Sequence, residues 1–149
     1  MPLTQKETAL LKDLTDAEKL CIAKYSKHAA SAVDVQLKDL FNKFAAEEQR
    51  HLDLLQEIEK GNTPAIPTTP AVQPSFNATY TGENDNKKND CFLCQDLLTA
   101  EKHASHLYDT CVFEFTQNGF RDVLNHIQTE EQHHGKSIYD YMKTNSMYS

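Results

Sequence analysis

The sequence predicts an all-α protein, a four-helix bundle with a long crossover between its second and third helices. Three observations predict it. Two blocks of the chain carry apolar residues at alternating steps of three and four, the spacing that draws one stripe along a helix. Neither block contains an internal proline. The stretch between them, residues 61–89, holds four of the five prolines and then a run of polar turn formers, so it reads as an extended connection. Trp is absent and Gly is scarce, which disfavours a turn-rich β fold.

The first helix is expected near 5–33. It opens on Thr4-Gln5-Lys6-Glu7, a capping box. Its stripe runs Leu11, Leu14, Glu18, Cys21, Tyr25, His28, Ala32. Asp34 marks a weak break before a second helix near 36–59, with the stripe Leu37, Phe41, Phe44, Glu48, His51, Leu55, Ile58. The third helix is expected near 91–116, with Cys94, Leu97, Glu101, Ala104, Tyr108, Cys111, Phe115. Asn118-Gly119 reads as the clearer break, and the fourth helix, near 120–143, carries Phe120, Leu124, Ile127, Glu131, His134, Ile138, Tyr141. The length suits one domain over 1–149: a helical hairpin at 5–59, the linker at 61–89 and a second hairpin at 91–143. A second helix of about 24 residues is ~36 Å long. The linker, partly extended at about 3 Å per residue, can run that distance. Helices two and three are therefore expected to be parallel.

The two blocks also resemble each other. Ala17-Glu18-Lys19 falls on Ala100-Glu101-Lys102, Tyr25 on Tyr108, Glu47-Glu48-Gln49 on Glu130-Glu131-Gln132 and His51 on His134, always at an offset of 83 (131 − 48).

Each stripe carries a glutamate near its middle, where an apolar residue belongs. Four buried carboxylates without partners would be very destabilising, so something must neutralise them. Glu18 lies about as far before the Asp34 break as Glu48 and His51 lie after it, and Glu101 is balanced likewise against Glu131 and His134. The six side chains are expected at one level, two helices giving one Glu each and two giving Glu-x-x-His. That is the form of a two-metal carboxylate site. Oxygen ligands with imidazole suit iron or manganese and can accept zinc, and four carboxylates offset two divalent ions. Tyr25 and Tyr108, one heptad from Glu18 and Glu101, read equally as hydrogen-bond donors to those carboxylates or as core aromatics. Glu47, Glu130 and His133 fall one step off the stripe and read as solvated face. His28 reads as a hydrogen-bonded core residue; His103, His106 and His126 read as surface. Cys91-x-x-Cys94 has no second Cys pair, which excludes a ribbon-type zinc site and favours a passive role over a redox pair.

The net charge of −7 excludes nucleic acid as a partner. No run reaches the roughly 18 apolar residues of a membrane span. The N-terminus lacks the basic-then-apolar pattern of a signal peptide, so cytoplasmic synthesis is expected.

The six-residue arrangement resembles the ferritin-like superfamily, including rubrerythrin. More narrowly, the phrases "LTQKETALLKDL", "EKLCIAKY", "LKDLFNKFAAEEQRHL", "LLTAEKHASHLYDT" and "LNHIQTEEQHHGKSIYDYM" resemble the Coat F-like spore coat proteins of spore-forming Firmicutes. The resemblance implies a ferritin-like bundle in, or associated with, the spore coat, with other coat proteins or its own copies as partners. It also implies metal-ligand roles for Glu18, Glu48, His51, Glu101, Glu131 and His134, and supporting roles for Tyr25 and Tyr108. The alternative it raises is a di-iron or di-manganese oxidoreductase consuming peroxide or dioxygen. Rubrerythrins place a further carboxylate where this chain has Ala104, and they carry a rubredoxin domain that this chain lacks.

Overall fold

The computed structural model describes residues 2–69 and 72–148. Its helices are α1 (Gln5–Ser31), α2 (Val35–Glu59), α3 (Asp85–Glu114) and α4 (Asn118–Thr144), and no strand occurs among the described residues. The protein is an all-α four-helix bundle. The capping box that opens α1 forms as the sequence predicts: Glu7 N donates to Thr4 Oγ1 at 3.0 Å and Thr4 N donates to Glu7 Oε1 at 2.9 Å. Glu7 also accepts from Thr116 N at 3.2 Å, which ties the start of α1 to the end of α3. Asp34 caps α2 by accepting from Gln36 N at 3.0 Å.

Every predicted stripe residue is buried except His28, which is half-buried with its Nε2 2.7 Å from an Asp96 oxygen. The stripes divide into two apolar clusters. One, toward the α1–α2 turn, contains Tyr25, Leu37, Phe41, Leu97 and Ile138. The other, toward the opposite end, contains Leu14, Leu55, Ile58, Phe120 and Ile127. Each such side chain contributes about 1.5–3 kcal/mol on burial, which holds the bundle closed around what lies between the clusters.

Helix α3 begins six residues earlier than expected (91 − 85). Residues 85–90 are polar and follow a loop, so they read as linker; two contacts make them helix. Asn84 caps them, accepting from Lys87 N at 2.8 Å. Asp90 is fully buried against the α1–α2 turn, where Oδ1 accepts from Val33 N at 2.9 Å and Oδ2 from Asp34 N at 2.9 Å and Tyr80 Oη at 2.6 Å. Asn118-Gly119 is likewise the first turn of α4 rather than the break before it, because the helix is interrupted earlier, at Phe115–Gln117. Gly119 is required for close approach: a Cβ there would meet Thr63 Cγ2 at 2.9 Å.

The described parts of the connection, residues 60–69 and 72–84, lie along the α2–α4 face. Asn62 donates to Glu57 at the end of α2, Ser137 Oγ donates to Gln73 Oε1 at 3.2 Å near mid-bundle, and Phe76 meets Tyr141 edge-on at 5.4 Å. At the far end, Asn145 Oδ1 accepts from Thr79 N at 2.8 Å and Tyr80 N at 3.1 Å. Helix α3 thus starts beside the α1–α2 turn, and α2 and α3 run parallel. No helix among the described residues is long and apolar enough to cross a membrane.

Candidate metal centre

Between the two apolar clusters the structure brings together all six acids and histidines singled out in the stripes. Glu18 comes from α1, Glu48 and His51 from α2, Glu101 from α3, and Glu131 and His134 from α4; none is more than 3% exposed. The heptad stripe explains this: each side chain takes an inward position on a seam whose other positions are mostly apolar. Leu14 comes before Glu18, Phe44 before Glu48, Leu55 after His51, Leu97 before Glu101, Ile127 before Glu131 and Ile138 after His134. Two overlapping groups result. Glu18, Glu48, His51 and Glu131 offer donor atoms within 4.8 Å of one another, and so do Glu48, Glu101, Glu131 and His134. Glu48 and Glu131 belong to both groups, so they stand between two positions.

Both imidazoles present Nδ1 to the acids. His51 Nδ1 lies 3.0 Å from Glu131 Oε1 and 3.2 Å from Glu48 Oε2. His134 Nδ1 lies 2.9 Å from Glu48 Oε1 and 3.3 Å from Glu101 Oε1. The two tyrosines donate across the bundle, Tyr108 Oη to Glu18 Oε1 at 2.6 Å and Tyr25 Oη to Glu101 Oε1. They are hydrogen-bond donors to the acids and core aromatics at once. Glu18 Oε2, Glu101 Oε2 and Glu131 Oε2 are buried with no hydrogen-bond partner. Such orphaned oxygens are rare in folded proteins, and a cation among them supplies the missing interaction. The donor set of carboxylates and imidazole fits a divalent transition metal.

Without a cation, protons must do that work. Burial pushes the Glu18 carboxyl well above its ordinary range, helped by its neighbour Glu48. Burial does the same to Glu131, helped by Glu101. Burial also opposes the charge on Glu48, but its neighbours Glu18, His134 and His51 outweigh it and hold that carboxyl well below the usual range. For His51, burial favours the neutral ring, yet the carboxylates of Glu130 and Glu48 raise its pKa to about 9. His134 is pushed well above its ordinary value against burial, by Glu101, Glu47 and Glu48.

Glu47 and Glu130 correct the sequence reading. They are not solvated face. Their side chains are only 18% and 29% exposed, and each reaches the outer nitrogen of a histidine on the facing helix. His134 Nε2 lies 2.8 Å from Glu47 Oε2, and His51 Nε2 lies 2.8 Å from Glu130 Oε1. A carboxylate behind the imidazole fixes the ring so that Nδ1 faces inward and makes that nitrogen a better donor. The signal available was the doubled acid, Glu-Glu, at the same place in both blocks. His126 is also half-buried rather than on the surface, its Nε2 3.2 Å from Glu130 Oε1, whereas His103 and His106 are exposed as expected. All four cysteines are free. A cavity of about 600 Å³ lies between α2 and α4 beneath the crossover, and Glu47, Glu130 and His134 form part of its wall.

This architecture is that of a ferritin-like four-helix bundle with a buried carboxylate–histidine cluster. It is similar to a solved structure described as a dodecameric thioferritin, the bacterioferritin-related protein from Bacteroides fragilis, with a TM-score of 0.69 and 18% identity over 95% of this chain and 87% of that one. Residues 89–149 match the family model described as the Coat F domain. A comparison with curated proteins returns no match.

Proposed function

We propose that this chain is a spore coat or coat-associated protein, one ferritin-like domain whose core holds two metal ions, iron or manganese in preference to zinc. The observation that carries the reading is the convergence of three orphaned carboxylate oxygens and two inward imidazole nitrogens in a buried space between apolar clusters. Glu18 and His51 would hold one ion and Glu101 and His134 the other, with Glu48 and Glu131 available to both. Tyr25 and Tyr108 orient the terminal carboxylates. The matching contacts at positions 83 apart support a repeated hairpin as the origin of the paired site (18 and 101, 25 and 108, 47 and 130, 48 and 131, 51 and 134).

The Coat F match over 89–149 supports placement in the spore coat, and the dodecameric assembly named for the similar structure supports self-association here. Other coat proteins are the remaining partners of this reading. Metal analysis of protein reconstituted with Fe²⁺ or Mn²⁺, beside its oligomeric state by light scattering, tests it. Two ions per chain in an oligomer support it; an apo monomer refutes it.

A second reading, an oxidoreductase consuming peroxide or dioxygen, is favoured by the cavity, which brings small solutes to the outer carboxylates. Two bound ions would supply Lewis acidity and redox capacity at that point. This chain's residues would hold the ions, keep bulk water out through the two apolar clusters, and take up protons at the His51–Glu130 and His134–Glu47 pairs. Peroxide consumption by the metal-loaded protein, absent in Glu131→Gln, separates this reading from a purely structural centre.

A further inference from the structure

Helix α1 carries an outward stripe that the bundle core does not use. Asp13, Asp16, Leu20, Lys24 and Lys27 follow steps of three and four, so they lie along one face of the helix. Leu20, at the centre, is 58% exposed, a large apolar side chain facing solvent. Beside it a groove of about 530 Å³ between α1 and α3 is lined by Ala17, Ala100, Ala104 and Leu107. Asp16 is held by Lys12 at 2.8 Å and Lys24 by Asp96 at 3.2 Å. Asp13 and Lys27 are exposed and make no hydrogen bond or ion pair among the described residues.

The order of these charges is self-complementary. Counted from Leu20, an acid stands four residues before and a lysine four after (20 − 16, 24 − 20). A second acid stands seven before and a second lysine seven after (20 − 13, 27 − 20). Three residues to either side are alanines, Ala17 and Ala23. A second α1 laid antiparallel about Leu20 therefore sets Asp13 against Lys27, Asp16 against Lys24 and Ala17 against Ala23, each twice. A parallel pairing would set like charge against like. The positions 83 further on hold Asp96, Thr99, His103, Leu107 and Thr110, so the pattern belongs to α1 and is not an echo of the repeat.

Resting on the self-association proposed above, we propose that this stripe is a two-fold interface on which a second copy of the chain docks, α1 against α1 in opposite directions. A two-fold axis requires every contact to occur twice, and antiparallel pairing about one central residue is how a single helix meets that requirement. The two Leu20 side chains supply the apolar contact, and the flanking alanines let the helices approach. The groove between α1 and α3 gives each Leu20 further apolar surface to cover. Exposed ion pairs add little affinity, so the charges act chiefly on direction and register.

Light scattering of the full chain at low ionic strength, beside circular dichroism to confirm that each variant is folded, tests the surface. Leu20→Arg should lower the mass of the wild-type assembly about twofold or more. Asp13→Lys and Lys27→Asp should each do the same alone, because each sets like charges against one another across the axis. The chain carrying both Asp13→Lys and Lys27→Asp should regain the wild-type mass, and so should an equimolar mixture of the two single variants. A wild-type mass that survives Leu20→Arg or either charge reversal overturns the surface while leaving self-association by another face intact. So do single variants whose mixture stays dissociated. A wild type that is monomeric at every concentration overturns both readings.

Discussion

Two groups of buried acids sit in this bundle, and they are built differently. At the α1–α2 turn, Asp34 and Asp90 are buried, but both oxygens of each are met by neutral donors. Asp90 accepts from two backbone amides and from Tyr80; Asp34 accepts from Gln36 N and from Tyr141 Oη at 2.6 Å. At mid-bundle, four carboxylates crowd two imidazoles, three oxygens have no partner, and the balance is kept by carboxyls held protonated and rings held charged. The first group is complete as it stands and fastens the crossover to the turn. The second, in the reading proposed above, would be complete when cations replace its protons.

The largest effect expected separates the two groups. Asp90→Ala strands the Val33 and Asp34 amides and the Tyr80 hydroxyl, and should destabilise the fold by about 3–5 kcal/mol. That corresponds to a fall in Tm of roughly 10 °C. Thermal melts should show the same loss with and without chelator, since no metal stands behind that contact. Next come the bridging acids, which should not behave alike. Glu131 is already held protonated without metal, so Glu131→Gln should leave the apo melt within about 1 kcal/mol of wild type while lowering metal affinity at both positions by at least about 100-fold. Glu48 is the ionised partner of both rings, so Glu48→Gln should destabilise the apo protein by about 3 kcal/mol as well as abolish tight binding. If the stability lost in Asp90→Ala changes with chelator, or if Glu131→Gln still melts lower on chelation as wild type does, the contrast between the groups is reversed.

Most of this fold is legible in the sequence, because stripe spacing, the Thr4 capping box and the proline-rich gap are local signals. The inward placement of the six acids and histidines is legible for the same reason: a residue on a heptad seam faces the core whatever its chemistry. What could not be read depends on distant pairs. Asp90 turns residues 85–90 into helix only because Val33 and Asp34, more than fifty positions away, present their amides to it. Glu47 and Glu130 lie one step off the seam, and their role follows from the rotation of α2 against α4, which brings each within 2.8 Å of the opposite histidine.

Smaller effects sharpen the comparison further. Glu130→Gln and Glu47→Gln keep the fold but loosen the histidine rings, and should each weaken metal binding by about 10- to 100-fold in a Co²⁺ or Mn²⁺ titration. A solvated-face residue would show no change. The dependence on pH should differ in sign between the two states of the protein. His51, Glu18 and Glu131 all have raised folded-state pKa values, so protonation stabilises the apo fold. The His51 contribution is fully present below its unfolded value, near 6.5, and is lost as pH rises through about 9. The apo melting temperature should therefore fall between pH 6.5 and 9, while metal affinity, which displaces those protons, should rise over the same range. Tyr108→Phe, removing the donor to Glu18, should change apo stability by only about 1 kcal/mol.

The measurement that bears most directly on the central contrast is calorimetric titration of the apo protein with Mn²⁺ at pH 7 in two buffers of different ionisation enthalpy. Two ions per chain and a net release of protons are expected, because Glu18, Glu131, His51 and His134 all have raised pKa values in the metal-free state. Glu131→Gln should abolish tight binding while Asp90→Asn leaves the stoichiometry at two. Binding with no proton release, or tight binding that survives Glu131→Gln, would contradict that contrast.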